Sequence, residues 1–426
     1  MQMDSTPLGT VARAADPSAH RIDTRGFGPG IEPFRLEFSG SGGEFFRVWI
    51  VNLLLGIVTL GFYTPFARRR TAQYFYSHTL VAGSPLEFTA QQRKMVFGFL
   101  LLVVIYIAFK LAAETGQDAA VSLFILAGAA LAPYFWASAM RFRLGATRWR
   151  GVRLQFAARW GEVYKASWPM FAIAITWIAV VAGFSLLAGE APASRAAGMP
   201  ELPDVPPLAW LLPVAGLVVT FLCIIRVEFN YKSLLVSRAF IGAQAGRWKP
   251  VYRDFVRIWL ATLGVFLAGL VVFAVLIGVV AVMAGTVVGS LGGGKAAGLA
   301  AVLAMIAAVV AFVFGLFLIS APARAYREAR MFQLVWNNVG VSQIARFKCK
   351  LKAKRYVMLR VRNMVFTLVT LGFYRPFAMV SEYRMKTESV TLHVKGGLDQ
   401  LVGQLVKQQD GLGDALADAV GLDLVG

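Results

Sequence analysis

Long apolar runs alternate with short basic ones along this chain, and the alternation predicts the architecture. A helix needs about 20 predominantly apolar residues to cross the hydrocarbon core of a bilayer. Five uncharged runs meet that length outright: 119–140, 166–189, 205–225, 258–294 and 296–323. A sixth, 95–113, carries only Lys110, whose stem can snorkel to the headgroups. It pairs with 119–140 as a tight hairpin. Trp136, Trp168, Trp210 and Trp259 sit near the ends of these runs, where indole rings favour the membrane interface.

Two further apolar runs are ambiguous. The run 48–67 is uncharged for 20 residues but contains Gly61 and Pro65, which weaken a helix, and 363–374 is uncharged for only 12. A run that short reads better as re-entrant or interfacial than as a span. The predicted fold class is therefore an all-α polytopic membrane protein. It has six spanning helices arranged as three hairpins, two re-entrant or spanning motif helices (six to eight helices in total), and short cytoplasmic strand units.

The two ambiguous runs are copies of one another. Asn52-Leu-Leu-Leu-Gly-Ile-Val-Thr59-Leu-Gly61-Phe-Tyr63-Thr-Pro65-Phe-Ala67 matches Asn363-Met-Val-Phe-Thr-Leu-Val-Thr370-Leu-Gly372-Phe-Tyr374-Arg-Pro376-Phe-Ala378 at ten of sixteen positions, with a constant offset of 311. The repeat proper covers 48–67 and 359–378. A shorter pattern follows other apolar runs: Thr79, Gly83 and Phe88 have the spacing of Thr147, Gly151 and Phe156, and Asn338, Ser342 and Phe347 imitate it less well. The alternation Val152, Leu154, Phe156 is that of a half-buried strand after a glycine-containing turn. These units are expected to pack into a cap under the membrane.

Composition and charge refine this picture. Of 426 residues, 58% are hydrophobic and 15% charged, which excludes a soluble enzyme of ordinary composition. The net charge of +20 could signal nucleic acid, so its location matters. The segments 68–94, 141–167, 226–257 and 323–355 carry 5, 7, 7 and 9 Lys or Arg, whereas 111–118, 189–206 and 286–296 carry 0, 1 and 1. The positive-inside rule makes the first set cytoplasmic and accounts for the charge without nucleic acid as a partner. Anionic lipid headgroups are the expected partner of Arg68, Arg69 and Arg70, and of Lys348, Lys350, Lys352, Lys354 and Arg355, whose lysines would share one face of an extended strand.

The chain divides into a polar N-terminal segment 1–44 without a signal-peptide core, a membrane domain 45–392, and an acidic, flexible tail 393–426 with a weak amphipathic stretch near 398–406. Cys223 and Cys349 imply no disulfide, and the scattered His20, His78 and His393 form no metal-ligand pattern. No nucleophile elbow or phosphate-binding loop is present. No cofactor and no enzymatic activity are implied.

The doubled Val-Thr-Leu-Gly-Phe-Tyr-x-Pro-Phe-Ala motif, with the preceding Phe38-x-Gly40-x-Gly42-Gly-Glu44-Phe-Phe-x-Val-Trp49, resembles the YjgN-type bacterial inner-membrane proteins over about 34–392. Their motifs more often read Pro-Trp where this chain has Pro65-Phe66 and Pro376-Phe377. The resemblance implies a multi-pass inner-membrane location, supplies no biochemical activity, and suggests a membrane-associated zinc peptidase as a partner.

The polar motif positions are the candidate site. Asn52 and Thr59 are seven apart and share a helix face, as do Asn363 and Thr370, so each pair needs hydrogen-bonding partners in a membrane. They are expected to meet across a pseudo-symmetric contact. Gly61 and Gly372 would allow close backbone approach, Pro65 and Pro376 would fix where each helix ends, and Tyr63 and Tyr374 would mark the interface. Two functions follow: a membrane scaffold or partner-binding protein, or a carrier or channel for a solute or ion with its site at the two motifs. The missing intramembrane carboxylates favour the scaffold.

Overall fold

A computed structural model describes residues 31–188, 206–242, 244–290, 294–341 and 345–396, with Gly403. The stretch 1–30 and the rest of the predicted tail lie outside the described residues. The chain begins with β1 (Ile31–Arg35) and β2 (Glu37–Phe38), then the first motif hairpin α1 (Gly42–Val58) and α2 (Thr64–Ser77). Strands β3 (Thr79–Val81) and β4 (Ser84–Phe88) lead to the helices α3 (Gln92–Glu114) and α4 (Asp118–Gly145). Strands β5 (Thr147–Trp149) and β6 (Val152–Phe156) lead to α5 (Trp160–Ala166), α6 (Trp168–Ala188) and α7 (Leu211–Ser237). Next come β7 (Ala239–Ile241), β8 (Gln244–Trp248), α8 (Tyr252–Ser290), α9 (Lys295–Asn338), β9 (Val339–Val341) and β10 (Ala345–Cys349). The second motif hairpin α10 (Ala353–Val369) and α11 (Arg375–Thr387) precedes β11 (Val390–Lys395).

Among the described residues six helices are long and apolar enough to cross a membrane, and they fall in the six predicted runs. They pair as α3–α4, α6–α7 and α8–α9. Close approach within pairs uses glycine: a Cβ on Gly216 would lie 2.9 Å from Val180, and one on Gly269 2.5 Å from Ile319.

The all-α expectation is corrected by the strands, which form one antiparallel sheet of eleven in the order β1-β11-β10-β9-β8-β7-β6-β5-β4-β3-β2. Its two ends are consecutive in sequence, separated by Leu36 alone, whose N–H donates to the Val390 carbonyl at 3.0 Å. One bent strand therefore brings the sheet to near closure as a ring, leaving few free edges. It also brings 31–44, part of the expected polar N-terminal segment 1–44, into the described fold. The β3–β4 and β5–β6 hairpins turn through Ala82-Gly83 and Arg150-Gly151, all four at positive φ, the two-residue turn whose twist suits a hairpin. The repeated threonines close each helix where its strand begins, Thr79 donating to the Phe75 carbonyl at 2.6 Å and Thr147 to that of Arg143 at 2.9 Å.

Every helical excursion among the described residues starts and finishes on this ring. The buried strand faces share one apolar cluster, from Phe34, Leu392 and Val394 through Val341 to Val152 and Trp149, seated on Ala325 and Ala329 of α9 and on the fully buried Tyr356 of α10. The alanines, four apart, give α9 a narrow face on which the ring and α10 settle closely.

Candidate functional site

The two motifs fold alike, and their shared residues explain the likeness. Each first helix ends in a left-handed turn: Leu60 and Gly61 have φ of 49° and 91°, Leu371 and Gly372 of 50° and 97°. The Gly61 N–H reaches back to the Gly56 carbonyl and the Gly372 N–H to that of Thr367, both at 2.7 Å, closing a Schellman-type cap. Thr59 donates to the Leu55 carbonyl at 2.6 Å and accepts the Tyr63 N–H at 3.0 Å, and Thr370 repeats this with Phe366 and Tyr374 at 2.7 and 2.9 Å. Pro65 and Pro376 occupy the first turn of α2 and α11, where no intrahelical donor is needed. Tyr63 stacks on Phe66 and Tyr374 on Phe377.

The asparagines tie each hairpin to itself. The Asn52 amide donates to the Ala67 carbonyl at 3.5 Å. That of Asn363 donates to Ala378 at 3.4 Å, to Ser381 Oγ at 2.9 Å and to Glu382 at 3.1 Å. The expected amide-to-amide contact is replaced by aromatic contact: Phe46 of α1 stacks on Phe377 of α11, and Trp49 stands edge-on to Phe373 in the turn between α10 and α11. The two motifs are thus neighbours, and between them lies a cavity of about 660 Å³. Asn52, Thr64, Arg68, Arg143, Met379 and Glu382 contribute to its wall. Asn52 is only 9% exposed, and its Oδ1 has no hydrogen-bond partner among the described residues.

Both motif tips are apolar and bare. Val58, Leu60 and Phe62 are exposed, as are Val369, Leu371 and Phe373, while Arg68, Arg69 and Arg70 follow one to two turns behind the first tip. Arg70 reaches the Tyr63 hydroxyl at 3.1 Å. On the second basic segment the alternation holds further than the strand: Lys348, Lys350 and Lys352 are exposed while Cys349 and Leu351 are buried. Lys354 and Arg355 depart from the expected extended face because α10 begins at Ala353, so they project from a helix turn.

The sequence did not reveal a chain of charges beside the cavity. Glu228 on α7 accepts Lys232 at 2.7 Å, Arg327 at 3.3 Å and the Trp259 indole at 2.7 Å. Glu328 on α9 is shared by Arg360, at 3.4 Å, and Lys386, and Arg360 also holds Glu382 at 2.6 Å. Burial pulls Arg360 down, but Glu382 and Glu328 outweigh it, leaving its pKa above the ordinary value. Burial raises the Tyr356 hydroxyl, and Glu328 raises it further. The charged residues come from four helices with no common spacing, and Trp259 from a fifth; their only signal was the clustering of acids at the basic ends of spans. Near the ring closure, hydrogen bonds from the Ser41 backbone and side chain hold Glu44 below the usual carboxylate range, and Tyr74, pushed up to about 12 by burial and then by Glu44, donates to the Ser41 carbonyl at 2.8 Å. Among the described residues no three His, Cys, Asp or Glu side chains are grouped to hold a metal.

Six candidate spans hung from a nearly closed strand ring, with two capped motif hairpins beside them, define a multi-pass membrane protein. The model of a family described as bacterial protein of unknown function (DUF898) matches residues 33–419, and the chain belongs to that family. It is 29% identical over 141 residues to inner membrane protein YjgN of Salmonella typhimurium, covering 33% of this chain and 35% of that protein. It is 28% identical over 119 residues to the protein of the same name from Escherichia coli O157:H7, covering 28% and 30%. The matches therefore span about a third of the length of these curated relatives. No solved structure matches. With its six candidate spans, the chain is a multi-pass protein of the bacterial inner membrane.

Proposed function

We propose that this protein is a membrane scaffold, a ring-based platform whose three spanning hairpins offer lipid-facing flanks to other transmembrane segments. The observation that carries the reading is how little most of the spans bury: no residue in the most apolar stretch of α8 is buried in the protein, in α3, α4 and α6 only 6% are and in α9 7%, against 22% in α7. A carrier encloses a polar path among packed spans. Here the hairpins pair internally, and the polar groups gather beside the ring.

The motif hairpins act as re-entrant wedges in this reading. Both ends of each join the ring, α2 carries three arginines soon after its start, and the bare tips present apolar side chains. Such a tip gains by entering hydrocarbon, while the arginines stay among headgroups. The ring then lies on the cytoplasmic side with the basic segments. The resemblance to YjgN-type proteins suggests a membrane zinc peptidase as one partner to test.

A photo-crosslinking side chain at Val275, which is 61% exposed, tests the scaffold in native membranes. Adducts with a transmembrane protein are expected. Adducts with lipid alone, or solute-dependent flux in liposomes holding the purified chain, would overturn the reading. Arg346→Cys in a chain lacking Cys223 and Cys349 should react with an impermeant maleimide only after cells are opened; labelling of intact cells would reverse the orientation.

A further inference from the structure

We infer that the cavity between the first motif, α11 and the inner end of α4 binds one phospholipid headgroup, taking a phosphodiester together with an N–H or O–H donor on the same headgroup. Three observations converge there. The Asn52 Oδ1 is an acceptor, more than nine-tenths buried, in the wall of the cavity and without a partner among the described residues. An acceptor in that state loses free energy unless a donor arrives from outside the chain.

Arg68 and Arg143 flank the same cavity; both residues are exposed, and their side chains make no hydrogen bond or ion pair among the described residues. The other charged wall groups are already held: Glu382 by Arg360 and Asn363, and Lys386 by Glu328. The free charge in the wall is therefore positive, and it suits a phosphate. The rest of the wall is largely apolar, with Trp49, Leu53 and Met379. A soluble anion has no use for such a surface, whereas the glycerol and upper acyl carbons of a lipid do.

The level is also right. Arg143 lies at the basic end of the spanning α4, and Arg68 one to two turns behind the motif tip. This part rests on the re-entrant reading of the motifs, which the depth of residue 60 tests separately.

The test uses the full-length protein in detergent, with the thermal unfolding midpoint followed against lipid concentration. Short-chain phosphatidylethanolamine and phosphatidylcholine carry the same phosphodiester and net charge, but only the first has N–H donors. Phosphatidylethanolamine should bind about fivefold more tightly, the net worth of one hydrogen bond. Asn52→Leu should erase that difference. Arg68→Gln with Arg143→Gln, at exposed positions without partners in the described fold, should weaken both lipids by about fivefold or more. Equal binding of the two lipids by the unaltered protein would overturn the donor contact, and unchanged binding by the double arginine variant the phosphate contact. Stabilisation by inorganic phosphate as strong as that by lipid would show a soluble anion to be the ligand and refute the lipid assignment.

Discussion

Leucine at a left-handed turn is the most informative oddity of the motifs. Leu60 and Leu371 hold φ of 49° and 50°, a region that glycine adopts freely and leucine resists. In each motif glycine comes one residue later. Replacing either leucine by glycine removes about 1 kcal/mol of backbone strain. The side chains are 90% and 91% exposed, so they give up no contact with the protein. If the tips stood in water, Leu60→Gly and Leu371→Gly would each stabilise the protein by about 1 kcal/mol. In hydrocarbon the lost leucine costs about 2 kcal/mol of transfer free energy. The sign then reverses, to a loss of about 1 kcal/mol per tip after the backbone gain. Unfolding in lipid nanodiscs reads that sign. A nitroxide at residue 60, in a background without Cys223 and Cys349, supplies the depth through its relative exposure to oxygen and to a water-soluble nickel chelate. Stabilisation by glycine together with strong collisions with nickel would refute the insertion of the tips.

Three further outcomes follow from the geometry. Asn363→Leu, which removes a buried amide with three partners, should destabilise by about 1–3 kcal/mol. Asn52→Leu removes one long bond and should cost less. Because the amides share no partner, the double variant should equal the sum of the singles within about 0.5 kcal/mol in denaturant titrations. Burial, then Lys348 and Lys350, depress the pKa of His393, so the unfolded chain binds its proton first. This contribution is complete above the unfolded value, near 6.5, and is lost as pH falls towards the folded one. The melting temperature should drop between pH 7.5 and 5.5, and His393→Gln should flatten that slope. Gly246→Ala should destabilise by about 1–3 kcal/mol in thermal scans, since a Cβ there would lie 2.2 Å from the Val236 carbonyl oxygen, a backbone atom that cannot swing aside.

Much of the membrane architecture was legible because hydrophobic length is a direct physical demand: a span needs its apolar residues in one run, and all six spans stand where the runs are. The hairpins carrying Gly83 and Gly151 were legible too, since a two-residue turn writes its glycine beside alternating strands. The ring was not. Its strands are two to six residues long, too short for periodicity to register, and β7–β8 carries its turn glycine one place earlier than β3–β4 and β5–β6 do. Nothing local marks 31–38 as the piece that links both ends of the sheet. The motif asparagines were read as polar groups needing partners, and their partners proved to be fifteen residues away, at Ala67 and Ala378. The Glu228 and Glu328 clusters join α7, α9, α10 and α11, a tertiary relation with no counterpart in spacing along the chain.

The bent strand at the ring closure sets an order for biogenesis. Ile31–Arg35 leaves the ribosome before nearly all the rest of the described chain, yet among the described strands it pairs only with Val390–Lys395, the last of them to be made. The neighbouring Glu37–Phe38 finds β3 as soon as the first motif hairpin has been made. Half of the strand is thus docked early while the other half keeps an open pairing edge throughout the insertion of three hairpins. A chain cut short anywhere before β11 would carry that edge permanently, and one cut between β10 and β11 would leave the side of β10 open as well. Completion of the ring therefore distinguishes a chain that includes β11 from one cut before it, and the unfilled edge of the latter is open to pairing with another strand.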